Sequence, residues 1–199
     1  MHKMSNNISD KPFRGDWNGG VWHAGVWEYG NFNKGLWKDG YWKCGSFHGG
    51  TWGNGYWNRG EWEGGIWEGG YWNDGSFHGG TWKDGTWKDG FFRGGVWEHG
   101  RWHGGSFKGG TWNRGEWEGG TWYGGTWKNG DWVRGEWKDG TWENGTWFDG
   151  TWFDGTWEDG LWKAGTWKGG TWIKGLILYK DKLVESDVSP AMFFKNNPA

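Results

Sequence analysis

Between residues 16 and 175 an aromatic side chain recurs at every fifth position, and a glycine closes every group of five, as in TWKDGTWKDG at Thr81–Gly90. The unit is x-aromatic-x-x-Gly, and it runs without interruption through 160 residues, or 32 units. In an extended chain successive side chains point to opposite faces. A glycine and the aromatic two residues after it therefore share one face, while positions 1 and 3 of the unit share the other. The first face is glycine and rings only. The second is largely Thr, Lys, Glu, Asn and His. Such a split predicts a buried side and a wetted side, repeated every five residues.

The turn positions discriminate between folds. Position 5 is always glycine, which fits a backbone site with φ above zero. Position 4 is Asp, Asn or Gly in most units, yet it accepts Tyr29, Arg59, His99 and Ala164, so positive φ is not demanded there. A tight I′ hairpin turn needs positive φ at both central residues, whereas a type II corner needs it at one. The pattern favours the bends of a winding chain, and the expected fold is all-β: a single repetitive β-solenoid rod of five-residue units. The alternative is an antiparallel β-meander of very short strands, whose one ring-covered face could not stand bare in water. In the solenoid the ring positions are core, with Trp82, Trp87, Trp112, Trp117, Phe77 and Phe92 as representatives.

Gly80-Thr81-Trp82-Lys83-Asp84 resembles the unit of pentapeptide-repeat proteins, with a large apolar centre, a small residue two before it and free positions after. The likeness is one of spacing; glycine stands for the usual alanine and tryptophan for the usual leucine or phenylalanine. It implies a right-handed quadrilateral β-helix with four units per coil. Gly60-Glu61-Trp62-Glu63-Gly64-Gly65 is similar to the G-x-W-x-x-G strand of MORN repeats, although the longer MORN unit is missing.

Two signals disagree on units per coil. The grid phenylalanines at 32, 47, 77, 92 and 107 differ by multiples of fifteen, as do Tyr41, Tyr56 and Tyr71, which points to three units. Volume points to four. A straight-sided triangular coil encloses about 570 Å3 against roughly 950 Å3 needed by three indoles and half their backbone, whereas a square one holds about 1,300 Å3 against roughly 1,260 Å3 for four. The volume favours four, giving a rod of eight coils and roughly 38 Å.

The ends break the grid. Residues 1–14 form a polar leader in which Pro12 takes an aromatic slot, residues 15–175 the repeat rod, and residues 176–199 a cap or docking tail. Leu176, Ile177 and Leu178 begin a last strand, and the remaining tail folds over the open end that every solenoid must close. The rival role for Met192, Phe193 and Phe194 is to dock a partner.

Composition narrows the function. Gly (45) and Trp (27) dominate 199 residues, so no aliphatic core can be built, and so many aromatics argue against disorder. The charges nearly cancel, 22 basic against 24 acidic, and leave no basic stripe for nucleic acid. Cys44 is the single cysteine, so no internal disulfide framework exists. MHKMSNNISD has no apolar run of a signal peptide, and no window approaches the ~18 apolar residues of a membrane span; synthesis in the cytoplasm is expected.

No catalytic constellation, metal site or cofactor motif emerges. His23, His48, His78 and His103 share the wetted position 3 with Lys and Glu, and the Asp-Gly pairs read as ordinary turns. Thr opens nine of the 13 units from Thr111 onward, yet the bulky charges at position 3 deny it the second ordered rank of an ice-binding face. The expected protein is a non-enzymatic structural or interaction module. Its short glycine/aromatic repeats are similar to those of fibre, spike and decoration proteins of tailed phage virions, which implies a protein partner or self-assembly. The alternatives are a glycan-binding adhesin using an exposed aromatic ladder, and a MORN-like membrane or protein scaffold.

Overall fold

The computed structural model describes residues 12–198, so residues 1–11 of the leader lie outside the described part. The chain winds as a parallel β-solenoid of about eleven turns. From Asn31 to Gly170 each five-residue unit contributes a two-residue strand at positions 1 and 2, such as Thr81–Trp82, and a three-residue corner. Strands pair in parallel with the units fifteen residues before and after, Thr81 with Ile66 and Val96. Three sheets result. The Tyr face holds Tyr41, Tyr56 and Tyr71; the Phe face holds Phe32, Phe47, Phe77, Phe92 and Phe107; the Thr face ends in Thr111, Thr126, Thr141, Thr156 and Thr171.

Three units therefore make a coil, which corrects the four favoured by volume. Ten steps separate Val21 from Thr171 on the Thr face, a stack of about 48 Å at one strand spacing per coil. The volume estimate failed at the corners. A straight-sided triangle has no room for three indoles, but with only two residues in each strand the corner bows outward. Several indoles reach into that corner: Cζ2 of Trp142 comes within 3.2 Å of where a Cβ on Gly145 would stand. Glycine corners are thus part of the interior.

The rings stack coil upon coil. Trp82 lies 4.8 Å from Trp97 with planes 6° apart, and meets Trp87 of the neighbouring face edge to face at 5.6 Å and 75°. Both are favourable aromatic geometries. Trp82, Trp87, Trp112, Trp117, Phe77 and Phe92 are all fully buried. Backbone bonds follow the same fifteen-residue pitch: position 1 N–H donates to a corner-glycine carbonyl of the coil before, as Thr86 to Gly70, and position 3 N–H to a ring residue's carbonyl, as Lys88 to Trp72.

The unit-closing glycines from Gly15 to Gly175 have positive φ, and position 4, apart from Gly19, does not. At Gly85 φ is 122°, and an added Cβ would sit 2.5 Å from the carbonyl oxygen of Gly70 directly below. Glycine is required there twice, by conformation and by the closeness of the next coil.

The ends close differently. Phe13, not Pro12, takes the first ring slot: its strand Phe13–Arg14 pairs in parallel with Val26–Tyr29 through a register shift, and its ring packs on Trp27 at 4.6 Å. At the other end strand Gly175–Tyr179 continues the Tyr face and places Ile177 after Trp162 in the column. Lys180 and Asp181, with φ of 48° and 62°, turn the chain into antiparallel strand Lys182–Ser186, and helix Pro190–Asn196 follows.

Candidate functional site

With the indoles inside, what the molecule offers a partner is its outer ranks and its C-terminal end. Positions 1 and 3 of each face form straight rows along the rod. On the Tyr face the rings of Tyr41, Tyr56 and Tyr71 stack at 5.1 and 4.9 Å, and Lys88 lies over the last at 5.6 Å. Desolvation, with Tyr71 and Tyr41 adding to it, raises the Tyr56 phenol above its usual value. Cys44 is exposed beside this row, its thiol donating to the Glu28 carbonyl at 3.2 Å.

The Phe face carries an alternating row of cations and rings that the sequence reading missed: Lys108, Tyr123, Lys138, Phe153 and Lys168. Lys108 lies 3.7 Å over Tyr123, and Lys138 and Lys168 lie 3.5 and 4.3 Å from the Phe153 ring centre. Only the fifteen-residue spacing of those five letters could have revealed it. The Thr rank is real and unbroken from Thr111 to Thr171, but the neighbouring row reads Asn113, Lys128, Glu143, Glu158, Ile173. Its charges break the flat second rank that ice would need. A shallow groove of about 670 Å3 along the corner after the Thr face is lined by Asp84, His99, Arg101, Glu116, Asn129 and Asp131, with no Trp, Tyr or Phe among its lining residues.

Two of the histidines pair with acids. His78 Nε2 lies 2.7 Å from Glu61, and His103 Nδ1 lies 2.6 Å from Glu118. Among the described residues no group of three or more His, Cys, Asp or Glu could hold a metal ion. The Asp-Gly pairs have a structural use: Asp84 Oδ1 accepts the Gly85 N–H at 2.7 Å, and nine other corners repeat the contact, including Asn129 and Asn144.

The tail residues divide. Ile177 is fully buried, Phe193 is nearly so, and Leu176 and Leu178 are half-buried, paired across the hairpin with Glu185 and Leu183. Phe193 meets Tyr179 at 5.6 Å, and Trp172 Nε1 donates to the Ser186 carbonyl at 3.0 Å, so hairpin and helix cover the stack. Met192 and Phe194 instead face outward, at 48% and 39% exposure. Leu183, Ile173 and Val188 are exposed with them. Tyr179, Leu178, Ala164 and Phe194 line a second hollow of about 490 Å3 at this end. Among the described residues no helix is long and apolar enough to cross a membrane.

Compared with family models, with curated proteins and with solved structures, the chain matches none.

Proposed function

We propose that the protein is a non-enzymatic structural rod whose shaft sets a length and whose C-terminal end docks a protein partner or a further copy. One observation carries this reading. The indole ladder is spent inside the stack, and among the described residues five of the eleven large exposed apolar side chains lie from Ile173 onward: Ile173, Leu183, Val188, Met192 and Phe194. Exposed apolar residues gathered at one place mark interaction surfaces, whereas scattered ones are ordinary. A repeat shaft with a specialised end is also the division of labour in virion fibres and decoration proteins, the class its composition resembles.

The adhesin reading has less support, since the indoles from Trp27 to Trp162 are 0% exposed and offer a sugar no face to stack on. Sedimentation velocity over a concentration series, with small-angle scattering, tests the docking end on the wild type and on Leu183→Glu/Met192→Glu/Phe194→Glu. Association that the triple variant loses, with the rod length unchanged, is expected. Equal behaviour of the two proteins, together with retention of both on a glycan array, would overturn it in favour of an adhesin.

A further inference from the structure

The Tyr-face column holds ten consecutive indoles, Trp27 to Trp162, at ring spacings of 4.7–5.0 Å with planes no more than 7° apart. The Thr-face column holds eleven, Trp22 to Trp172, at 4.6–5.1 Å. The Phe-face column is broken by Phe32, Phe47, Phe77, Phe92 and Phe107. Indole gives up an electron far more readily than a benzene ring. Evenly spaced, nearly parallel indoles in the same dry surroundings are close in energy, and their π-systems overlap face to face.

A second feature bears on the same chemistry. Twenty-four of the 27 indole N–H groups are buried with no acceptor at hydrogen-bond distance; Trp62, Trp167 and Trp172 are the others. Left alone, this is a large cost, since buried donors are normally paired. An oxidised indole is ordinarily trapped when its N–H proton leaves. With nothing to take that proton, the positive hole stays mobile. The ends of the path differ from its middle. Trp167 is only half-buried and touches all three columns, stacking on Trp152 at 5.0 Å and meeting Trp162 and Trp172 at 5.7 Å. Near the other end Tyr41, Tyr56 and Tyr71 stand just outside Trp42, Trp57 and Trp72. A partly exposed phenol can release its proton to water as it loses an electron.

We propose that the two continuous indole columns conduct one-electron oxidising equivalents along the rod, between Trp167 and the Tyr41–Tyr56–Tyr71 row. A one-electron oxidant at the C-terminal end takes one electron from Trp167. The cation moves down a column as each indole accepts an electron from the next. At the Tyr face one electron passes from a phenol to the neighbouring indole cation, restoring the indole; the phenol proton goes to water and a tyrosyl radical remains. The proposal stands apart from the docking function.

The test uses the full chain with Cys44→Ser and Lys168→Cys, carrying a ruthenium(II) polypyridyl complex on the new thiol beside Trp167. A flash with a sacrificial cobalt(III) acceptor makes the ruthenium(III) oxidant in place. Transient absorption is expected to show a tyrosyl radical, and peptide mapping to find oxidation at Tyr41, Tyr56 or Tyr71. Trp97→Phe, Trp102→Phe, Trp112→Phe and Trp117→Phe together join Phe92 and Phe107 into two complete phenylalanine layers, and should lower the tyrosyl yield by more than an order of magnitude. Trp97→Phe with Trp102→Phe completes one layer and should give a smaller drop, which keeps the test open if the fourfold variant does not fold. Tyr41→Phe/Tyr56→Phe/Tyr71→Phe should replace the tyrosyl signal by a long-lived indole signal. Trp62→Phe, in the column already broken, should change nothing. A tyrosyl yield unaffected by the phenylalanine layers, or oxidation confined to Trp167 and Trp152, overturns the proposal.

Discussion

The shaft and the C-terminal cap share one sheet, yet they solve opposite problems. Along the shaft each coil is a template for the next: Trp162 repeats Trp147, which repeats Trp132, and nothing in that pattern specifies where to stop. At Ile177 the column changes from indole to aliphatic, the next strand turns antiparallel, and a helix lays Phe193 over the end. A repeat stack is stabilised through nearest neighbours, so its terminal coil is the least held and the most exposed to edge-to-edge growth. The cap supplies termination, which the repeat cannot.

Removing residues 176–199 should break that division most completely. The truncated rod presents ring faces and unpaired strand edges, so it is expected to form open-ended polymers that lengthen with concentration, read by sedimentation velocity and electron microscopy. A truncated protein of fixed, discrete size would show that the shaft ends itself.

Within the shaft a large single effect belongs to the corner. Gly85→Ala must hold φ near 122° and displace the Gly70 carbonyl. A cost of about 2–3 kcal/mol or more is expected, measured as a shift in denaturation midpoint. The same substitution in the cap strand, at Leu178, changes a half-buried side chain and should cost less. If Gly85→Ala is as mild as Leu178→Ala, the corner does not set the coil.

The core offers a finer contrast. Trp112→Ala should cost about 3–5 kcal/mol, the range for large-to-small changes in a packed interior. Trp112→Phe should cost far less, because the stack already accepts benzene rings: Phe107 sits 4.0 Å from Trp122 and Phe47 sits 4.2 Å from Trp62. It also removes a buried N–H without an acceptor. Equal losses in the two variants would mean that indole shape, not ring stacking, holds the coils together.

The five-residue grid was legible because two local rules agree on it: alternation puts glycine and ring on one face, and one positive φ per unit suits a bend. The coil was misread where a global quantity entered. Phe32 to Phe107 and Tyr41 to Tyr71 already marked the fifteen-residue pitch, and both rows became columns. A volume calculated for straight sides overruled them, since nothing in the letters shows that a corner without Cβ atoms lends its space to the ring. The hairpin was hidden for a different reason: Lys180-Asp181 carries positive φ without the Gly or Asn that usually announces it. Met192, Phe193 and Phe194 were legible as a group but not as a divided one, because the helix turns only Phe193 inward.

The smallest predicted effects lie at position 4, along the shaft and at its joint with the cap. Asp84 Oδ1 takes the Gly85 N–H at 2.7 Å, and losing that acceptor in Asp84→Ala should cost about 0.5–1.5 kcal/mol. Asp84→Asn should restore it, as Asn129 and Asn144 make the same bond at 2.8 and 2.7 Å. Asp159 is the version at the junction. The Gly160 N–H foremost, then Lys174 at 3.0 Å, holds its carboxyl below the usual aspartate value. A carboxyl with a lowered folded pKa binds its proton less readily in the folded state than in the unfolded one. Its contribution is therefore complete above the unfolded value of about 3.9 and is lost as pH falls through the lower folded value. Urea midpoints measured from neutral pH downward should stay level and then drop in that acid window. Asp159→Asn keeps the Gly160 acceptor but cannot titrate, so it should drop less than the wild type there. A wild type and variant that fall in parallel would place the acid sensitivity elsewhere in the shaft and remove Asp159 from the joint between shaft and cap.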